Sequence, residues 1–300
     1  MKYSSTVLCA AFAVTGVYSH AVVTMIYGAN GVDMAGLTVV DNTPRDCPSA
    51  GCGAQDDTAT IRTNEMGTSK ATALGRSKAS GPITPNRMVA NFMGGAANKT
   101  ARAIHEQMNL YKRDMLGDLM SLAAGGAGGA AGGAGGAGAN SVKTPAGTKE
   151  TGMAGTAGIG ATKGLPTASA SGEITMTIHQ CNQDGAGPFN AAIDPTSGGT
   201  DPAAFKTAQV TQNVPGIAAG ISAATTTDYK VKVQMPQGMV CSGTVDGVGN
   251  ACIVRMSNMT PAGPFGGAAM FTQTNEAKKR AIEYNLNKRR MARGKTPSTV

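Results

Sequence analysis

The stretch Glu173-Ile-Thr-Met-Thr-Ile-His179 decides the fold, because its apolar and polar residues alternate without a break. Successive side chains of a strand point to opposite faces. Ile174, Met176 and Ile178 therefore line one face, and Thr175, Thr177 and His179 the other. The same period returns from Asp228 to Met235 through Tyr229, Val231 and Val233. Further out, Cys252 to Arg255 and Ala268 to Thr272 read as two more strands. His20 to Ile26 reads as a first strand, closed by the turn residues Gly28-Ala-Asn-Gly31, and Leu37-Thr-Val-Val40 as a second. Asn190 to Thr227, rich in Ala, Thr, Pro and Gly, reads mostly as loop. Short strands separated by turns predict a mainly β fold, an antiparallel β-sandwich of immunoglobulin-like type.

Between the early and late strands the period changes. Ile104, Met108, Tyr111, Met115, Leu119 and Leu122 recur every three or four residues, which predicts a helix over 99–122. Ala123 to Ala139 contains only Ala and Gly, and a Gly- and Thr-rich composition continues to about Gly164. Glycine loses more backbone freedom on ordering than any other residue, so 123–164 is expected to be a disordered linker. Matches to Gly-x-Gly-x-x-Gly inside it arise from composition and carry no nucleotide-binding weight. The expected organisation is one β-sandwich domain over 20–272, interrupted by this helix and linker, and a basic tail over 273–300.

The first nineteen residues have the parts of a secretory signal: Lys2, the uncharged run Val7 to Val14, and Val17-Tyr18-Ser19 ahead of the cut. The expected mature chain begins at His20, with a cut after Ala21 as the rival. No later apolar run reaches the ~20 residues of a membrane span, so a secreted, extracellular protein without a transmembrane segment is expected, free or wall-associated. Six cysteines become five once Cys9 is removed with the signal. An oxidising compartment then allows two disulfides with one cysteine over. Cys47 with Cys52, and Cys241 with Cys252, could each close a short loop, although spacing does not fix the pairing. No Cys-x-x-Cys pair occurs, which argues against zinc. Asn98-Lys-Thr100 and Asn258-Met-Thr260 are N-glycosylation sequons.

The formal net charge of +8 invites a nucleic-acid reading that position removes. From Lys278 onward eight basic residues face one acid, Glu283, whereas His20 to Glu276 holds seventeen of each sign. The body is neutral, nucleic acid is not an expected partner, and the tail reads as solvated, with Lys279-Arg280 and Lys288-Arg289-Arg290 as dibasic processing sequences.

Two histidines stand out chemically. A mature His20 offers both its α-amino group and its imidazole, and His179 ends the decisive strand, so together they could supply three nitrogens. Tetragonal nitrogen ligation suits copper. No Gly-x-Ser-x-Gly elbow supports a serine hydrolase. Asp184 lacks a convincing second carboxylate for glycoside hydrolysis.

His20-Ala-Val-Val, Val39-Val-Asp-Asn-Thr-Pro-Arg45, Thr177-Ile-His-Gln-Cys-Asn-Gln-Asp-Gly-Ala-Gly-Pro188, Cys252-Ile-Val-Arg255 and Ala262-Gly-Pro-Phe-Gly-Gly267 resemble the fungal Egh-type virulence-factor family. The resemblance runs from His20 to Phe271, apart from the Gly/Ala insertion. It implies a secreted protein linked with appressorium formation and host penetration. That family is in turn similar to lytic polysaccharide monooxygenases, whose sandwich holds copper between an N-terminal histidine and a second one. The resemblance implies a histidine brace of His20 and His179, Phe265 in the axial position, and Gln180 and Asp184 as residues that orient the brace or bound oxygen. It also implies a cell-wall or host-surface polysaccharide as partner to a monomer. Oxidative cleavage of that polymer and non-catalytic binding to it are both compatible with the family. Aromatics are only 4% of the chain and Trp is absent, which counts against a stacking platform for a crystalline substrate. Leu74, Met256 and Ala268 stand where the family commonly has cysteines, which leaves the usual disulfide scheme in doubt.

Overall fold

The computed structural model describes residues 20–94, 140–217 and 219–293. The expected signal peptide, the helix expected over 99–122, the all-Ala/Gly run and Asn98 lie outside them.

Among the described residues thirteen strands are formed, all paired antiparallel. They are β1 (Ala21–Tyr27), β2 (Asp33–Ala35), β3 (Ala59–Thr60), β4 (Arg76–Ser77), β5 (Gly81–Pro82), β6 (Ser141–Lys143) and β7 (Glu173–Gln180). β8 (Asn190–Asp194), β9 (Lys206–Gln212), β10 (Thr227–Gln234), β11 (Gly243–Val245), β12 (Val248–Ser257) and β13 (Phe265–Phe271) complete them. Two separate sheets were expected. Instead, hydrogen bonding follows one path, β2-β1-β7-β10-β9-β8-β12-β13-β3-β4-β5, because β9 pairs with both β10 and β8. The sheet curls until β13 lies against β1. Leu37 N donates to Ala268 O at 2.8 Å across this contact, and a Cβ on Gly267 would sit 2.8 Å from Val23 N. Only glycine allows so close an approach.

The alternation that predicted β7 is a burial pattern. Ile174, Met176 and Ile178 enter the core with Tyr229, Val231 and Val233 of β10 and Ala21, Val23 and Ile26 of β1. Full burial of each large apolar side chain contributes about 1.5–3 kcal/mol.

Three expectations are corrected. Leu37 to Val40 is a turn, and the strand comes earlier as β2; Leu37 and Val39 are buried but spend their amides on Ala268 O and Gly36 O. Asn190 to Thr227 contains β8 and β9, the pair that joins the two halves of the sheet. Residues 140–164 are structured, with β6 on the edge of β10 and two short helices, α2 (Gly152–Gly155) and α3 (Ile159–Lys163), packed near α1 (Asn86–Met93). The tail is also structured as far as residue 293. α4 (Asn275–Ala292) is capped by Thr274, buries Ala277 and Ala281, and is tied down by Asn285 Nδ2 to Gly238 O at 2.8 Å. Lys278 donates to Asn250 Oδ1 (2.7 Å) and Arg280 to Ala170 O (2.6 Å), while Lys279, Lys288, Arg289 and Arg290 are exposed.

A buried ion cluster explains why 140–164 is ordered despite its glycines. Arg45 donates to Asp57 through Nη1 (3.1 Å) and Nη2 (2.5 Å), and to Glu150 through Nε (2.9 Å) and Nη2 (2.7 Å). Glu150 Oε1 accepts from the amides of Thr151 and Gly152, and the Asp41 carboxylate from those of Met153 and Ala154. Residues on either side of the Gly/Ala stretch are thus locked to the same guanidinium. Disulfides Cys47–Cys52 and Cys241–Cys252 are formed, and Cys181 is a buried free thiol. No helix among the described residues is long and apolar enough to cross a membrane.

Arg45→Ala would leave two carboxylates buried without their counter-charge. We expect it to lower the unfolding free energy by about 3–5 kcal/mol, measured by urea denaturation, whereas Lys78→Ala, which breaks an exposed pair with Asp56, should change it by less than about 1 kcal/mol.

Candidate functional site

The site is built where β1 begins and β7 ends. Ala21 stands opposite Gln180 and Val22 opposite His179. The ladder continues one step further, with Cys181 N donating to His20 O at 2.9 Å. On the other side of β7, Asp228 of β10 stands opposite His179. Residues directly across from one another share a face of a sheet. Since Ile178 and Tyr229 occupy the core face, His179, Asp228 and Cys181 occupy the other.

His179 is fully buried, and its Nδ1 lies 2.7 Å from Asp228 Oδ1. The carboxylate orients the ring and favours the tautomer with its proton on Nδ1. Nε2 is buried and meets no aligned hydrogen-bond partner among the described residues. The Cys181 thiol, two residues along the strand, donates to Ala54 O at 3.4 Å. Burial works to lower the imidazole pKa, but neighbouring Cys181 and Asp228 outweigh it and push it up to about 9. A metal ion taking Nε2 would therefore have to displace a proton.

His20 is half-buried at the head of β1. Its main-chain N–H donates to Asn182 Oδ1 at 2.9 Å, and its ring stacks on Phe265, with centroids 5.0 Å apart and planes 28° apart. Phe265 is held by the turn before it. Arg62 donates from Nε to Gly263 O (3.0 Å) and from Nη2 to Ala262 O (2.8 Å), and Phe265 N donates to Asn258 Oδ1 at 2.9 Å. Gly185 closes the loop over the strand end. A Cβ there would sit 2.1 Å from His20 O.

The two histidines expected to act together are thus placed at neighbouring strand ends, with Phe265 against His20. The contacts of the other two expected residues go elsewhere. Gln180 Nε2 donates to Asn182 O, Ser222 Oγ and Ala224 O, which ties the turn after β7 to the stretch just ahead of β10. Asp184 accepts through its main-chain oxygen from Asn258 Nδ2 (3.0 Å) and Thr260 Oγ1 (2.9 Å), while burial pushes its carboxyl pKa up. Side-chain hydrogen bonds to the histidines come from Asp228, at His179 Nδ1, and from Asn182, at His20 N. The alternation of β10 placed Asp228 on the same sheet face as His179, but the register that makes them opposite is a tertiary fact.

Asn258 is buried, with 1% of its surface exposed. Its Nδ2 donates to Asp184 O and Ala186 O, and its Oδ1 accepts from Phe265 N and Thr260 N. The sequon at this position is therefore a structural hub in the folded chain. No group of three or more His, Cys, Asp or Glu side chains among the described residues is arranged to hold a metal ion. A metal here would rest on two imidazoles and the terminal amine. An imidazole with Nδ1 held by a carboxylate is the arrangement found for metal-ligating histidines, so His179 fits that role, with the Cys181 thiol as the neighbour that a metal at Nε2 would displace from the ring.

A sequence model described as Egh16-like virulence factor matches residues 18–266. The chain is 51% identical over 299 residues to the appressoria-specific virulence factor GAS2 of Pyricularia oryzae, covering 98% of this chain and 97% of that protein. It is 37% identical over 128 residues to the appressoria-specific virulence factor GAS1 of the same fungus, covering 41% of this chain and 50% of GAS1. No solved structure matches.

Gly185→Ala should displace the start of β1. We expect faster hydrogen exchange at the Cys181 amide, with the distant amides of β12 unchanged. Peptide mapping of the protein from a eukaryotic host should find Asn258 without glycan, and Asn258→Gln should lower the melting temperature by several degrees, about 1–3 kcal/mol of lost buried hydrogen bonding.

Proposed function

The chain belongs to the Egh16-like virulence factor family, and from that premise we propose that removal of residues 1–19 in the secretory route turns it into an extracellular copper-binding protein. The observation that carries the reading is the pairing of His20 with the strand end that bears His179, whose Nδ1 is fixed by Asp228 while its buried Nε2 has no well-aligned partner among the described residues apart from the neighbouring Cys181 thiol. Cleavage before His20 would convert an amide N–H into an amine. That nitrogen lies beside the Asn182 carboxamide oxygen, which accepts an N–H from it and so orients its lone pair. The α-amino group, with a pKa of ~7.7, can lose its proton to a metal near neutral pH.

Bound copper would supply a one-electron redox couple. The protein's own residues do the rest. Asp228 holds the His179 ring in one orientation, Phe265 packs on the His20 ring and keeps water from that side, and Gly185 leaves room for the loop to close. Gln180 and Asp184 act at one remove, by fixing the backbone of the loop that carries Asn182.

A cell-wall or host-surface polysaccharide is the proposed partner, and binding is favoured over cleavage of a crystalline polymer. Among the described residues the exposed large apolar side chains are Ile217, Ile221, Met259, Ile282, Tyr284, Leu286 and Met291, of which one is aromatic. A flat stacking surface needs more than one such ring.

The test uses two preparations, one beginning at His20 and one with a single extra residue before it. Titration with copper(II), followed by EPR, should show tight binding with nitrogen ligation for the first and weak binding for the second. Asp228→Asn in the first should weaken binding by about 10–100-fold. Equal weak binding by the two preparations contradicts the proposal.

A further inference from the structure

We propose that a groove on the outer face of β8, β9 and β12 binds a short saccharide carrying a carboxylate, with Arg255 as its anion-binding group. This site is independent of the copper reading. The groove has a volume of about 530 Å³, within the ~300–1,000 Å³ of small-ligand sites. The ladder sets its lining: Arg255 stands opposite Ala192, Ala192 opposite Thr207, and Ser257 opposite Asn190, so these five side chains share one face.

Arg255 is unusual among the packed arginines of this chain. Arg45 is paired with Asp57 and Glu150, and Arg62 and Arg76 both pair with Glu65. Arg255 is half-buried, yet no carboxylate among the described residues reaches it. Its guanidinium carbon lies 4.2 Å from the centre of the Phe205 ring, and Nη1 donates to Ala73 O and contacts Met66 Sδ at 3.6 Å. Nε and Nη2 make no hydrogen bond to a described residue. Burial without a counter-charge holds its pKa below the ordinary arginine value. A guanidinium taken partly out of water with no anion is costly, and an anion that fills the vacant donors recovers that cost.

The ligand class follows from the donors. The planar fork of Arg matches a carboxylate through two parallel N–H bonds, and Phe205 lies within cation–π distance of the guanidinium. The rest of the lining named above consists of the Asn190 amide, the Thr207 and Ser257 hydroxyls and the small Ala192. Such a row offers hydrogen bonds to a hydroxylated chain and a flat spot for a ring. Pro188, Phe189, Ala191, Ala208 and Val210 complete the lining on its apolar side. An acidic sugar satisfies both halves of the groove.

The test is an NMR titration of the isotope-labelled protein beginning at His20, with trigalacturonate as probe and neutral maltotriose as control. We expect saturable shifts at the amides of Ala192, Thr207 and Ser257 with trigalacturonate only, weakening as salt is raised. Arg255→Gln should weaken binding about tenfold or more. Thr207→Asp, at an exposed position where folding is not at stake, should weaken it similarly by repulsion. Equal binding of maltotriose, wild-type affinity in both variants, shifts confined to the basic residues of α4, or no shifts at all would each overturn the proposal.

Discussion

The antiparallel pairing of β1 with β7, carried one residue past β1 to the bond between Cys181 N and His20 O, is the constraint on which the candidate site depends. A slip of one residue in that ladder would turn every side chain of β7 to the opposite face. His179 would then enter the core and Ile178 would leave it. Burial of Ile174, Met176 and Ile178 against β10 prevents the slip. The position of the histidines is thus a by-product of hydrophobic register.

Two polar hubs then close the loops over that strand end. Asn258 spends both ends of its amide on the main chain of 184–186 and of Phe265, so one side chain positions both the Gly185 loop and the ring that packs on His20. Arg45 gathers the segments around residues 57 and 150, and Asp57 in turn accepts from Val40 N. Each hub joins stretches far apart in the chain. Each is also buried, where an unsatisfied group costs more than the bond contributes.

The alternating strands were legible in the sequence because half of each is buried: β7, β10 and β1 were found within a residue or two of their true ends. β8 and β9 were hidden, since Asn190-Ala-Ala-Ile and Lys206-Thr-Ala-Gln carry small or polar residues that look like loop until a neighbouring strand pairs with them. The order in 140–164 had no local cause. It comes from an ion pair between residues 105 positions apart, and composition alone argues the other way. Of the candidate site, the neighbouring placement of His20, His179 and Phe265 agrees with the motifs that singled them out. Asp228 and Asn182 were not, because their part is set by register and by a loop closing back on the strand.

The central claim is that the start of the mature chain and the end of β7 form one nitrogen site. X-ray absorption at the copper edge, on protein beginning at His20 and loaded with one equivalent of copper(II), tests it most directly. A shell of nitrogen ligands with the outer scattering of two imidazoles and no sulfur is expected, with loss of one imidazole in His179→Ala. A sulfur ligand from Cys181, or a spectrum that His179→Ala leaves unchanged, would contradict it.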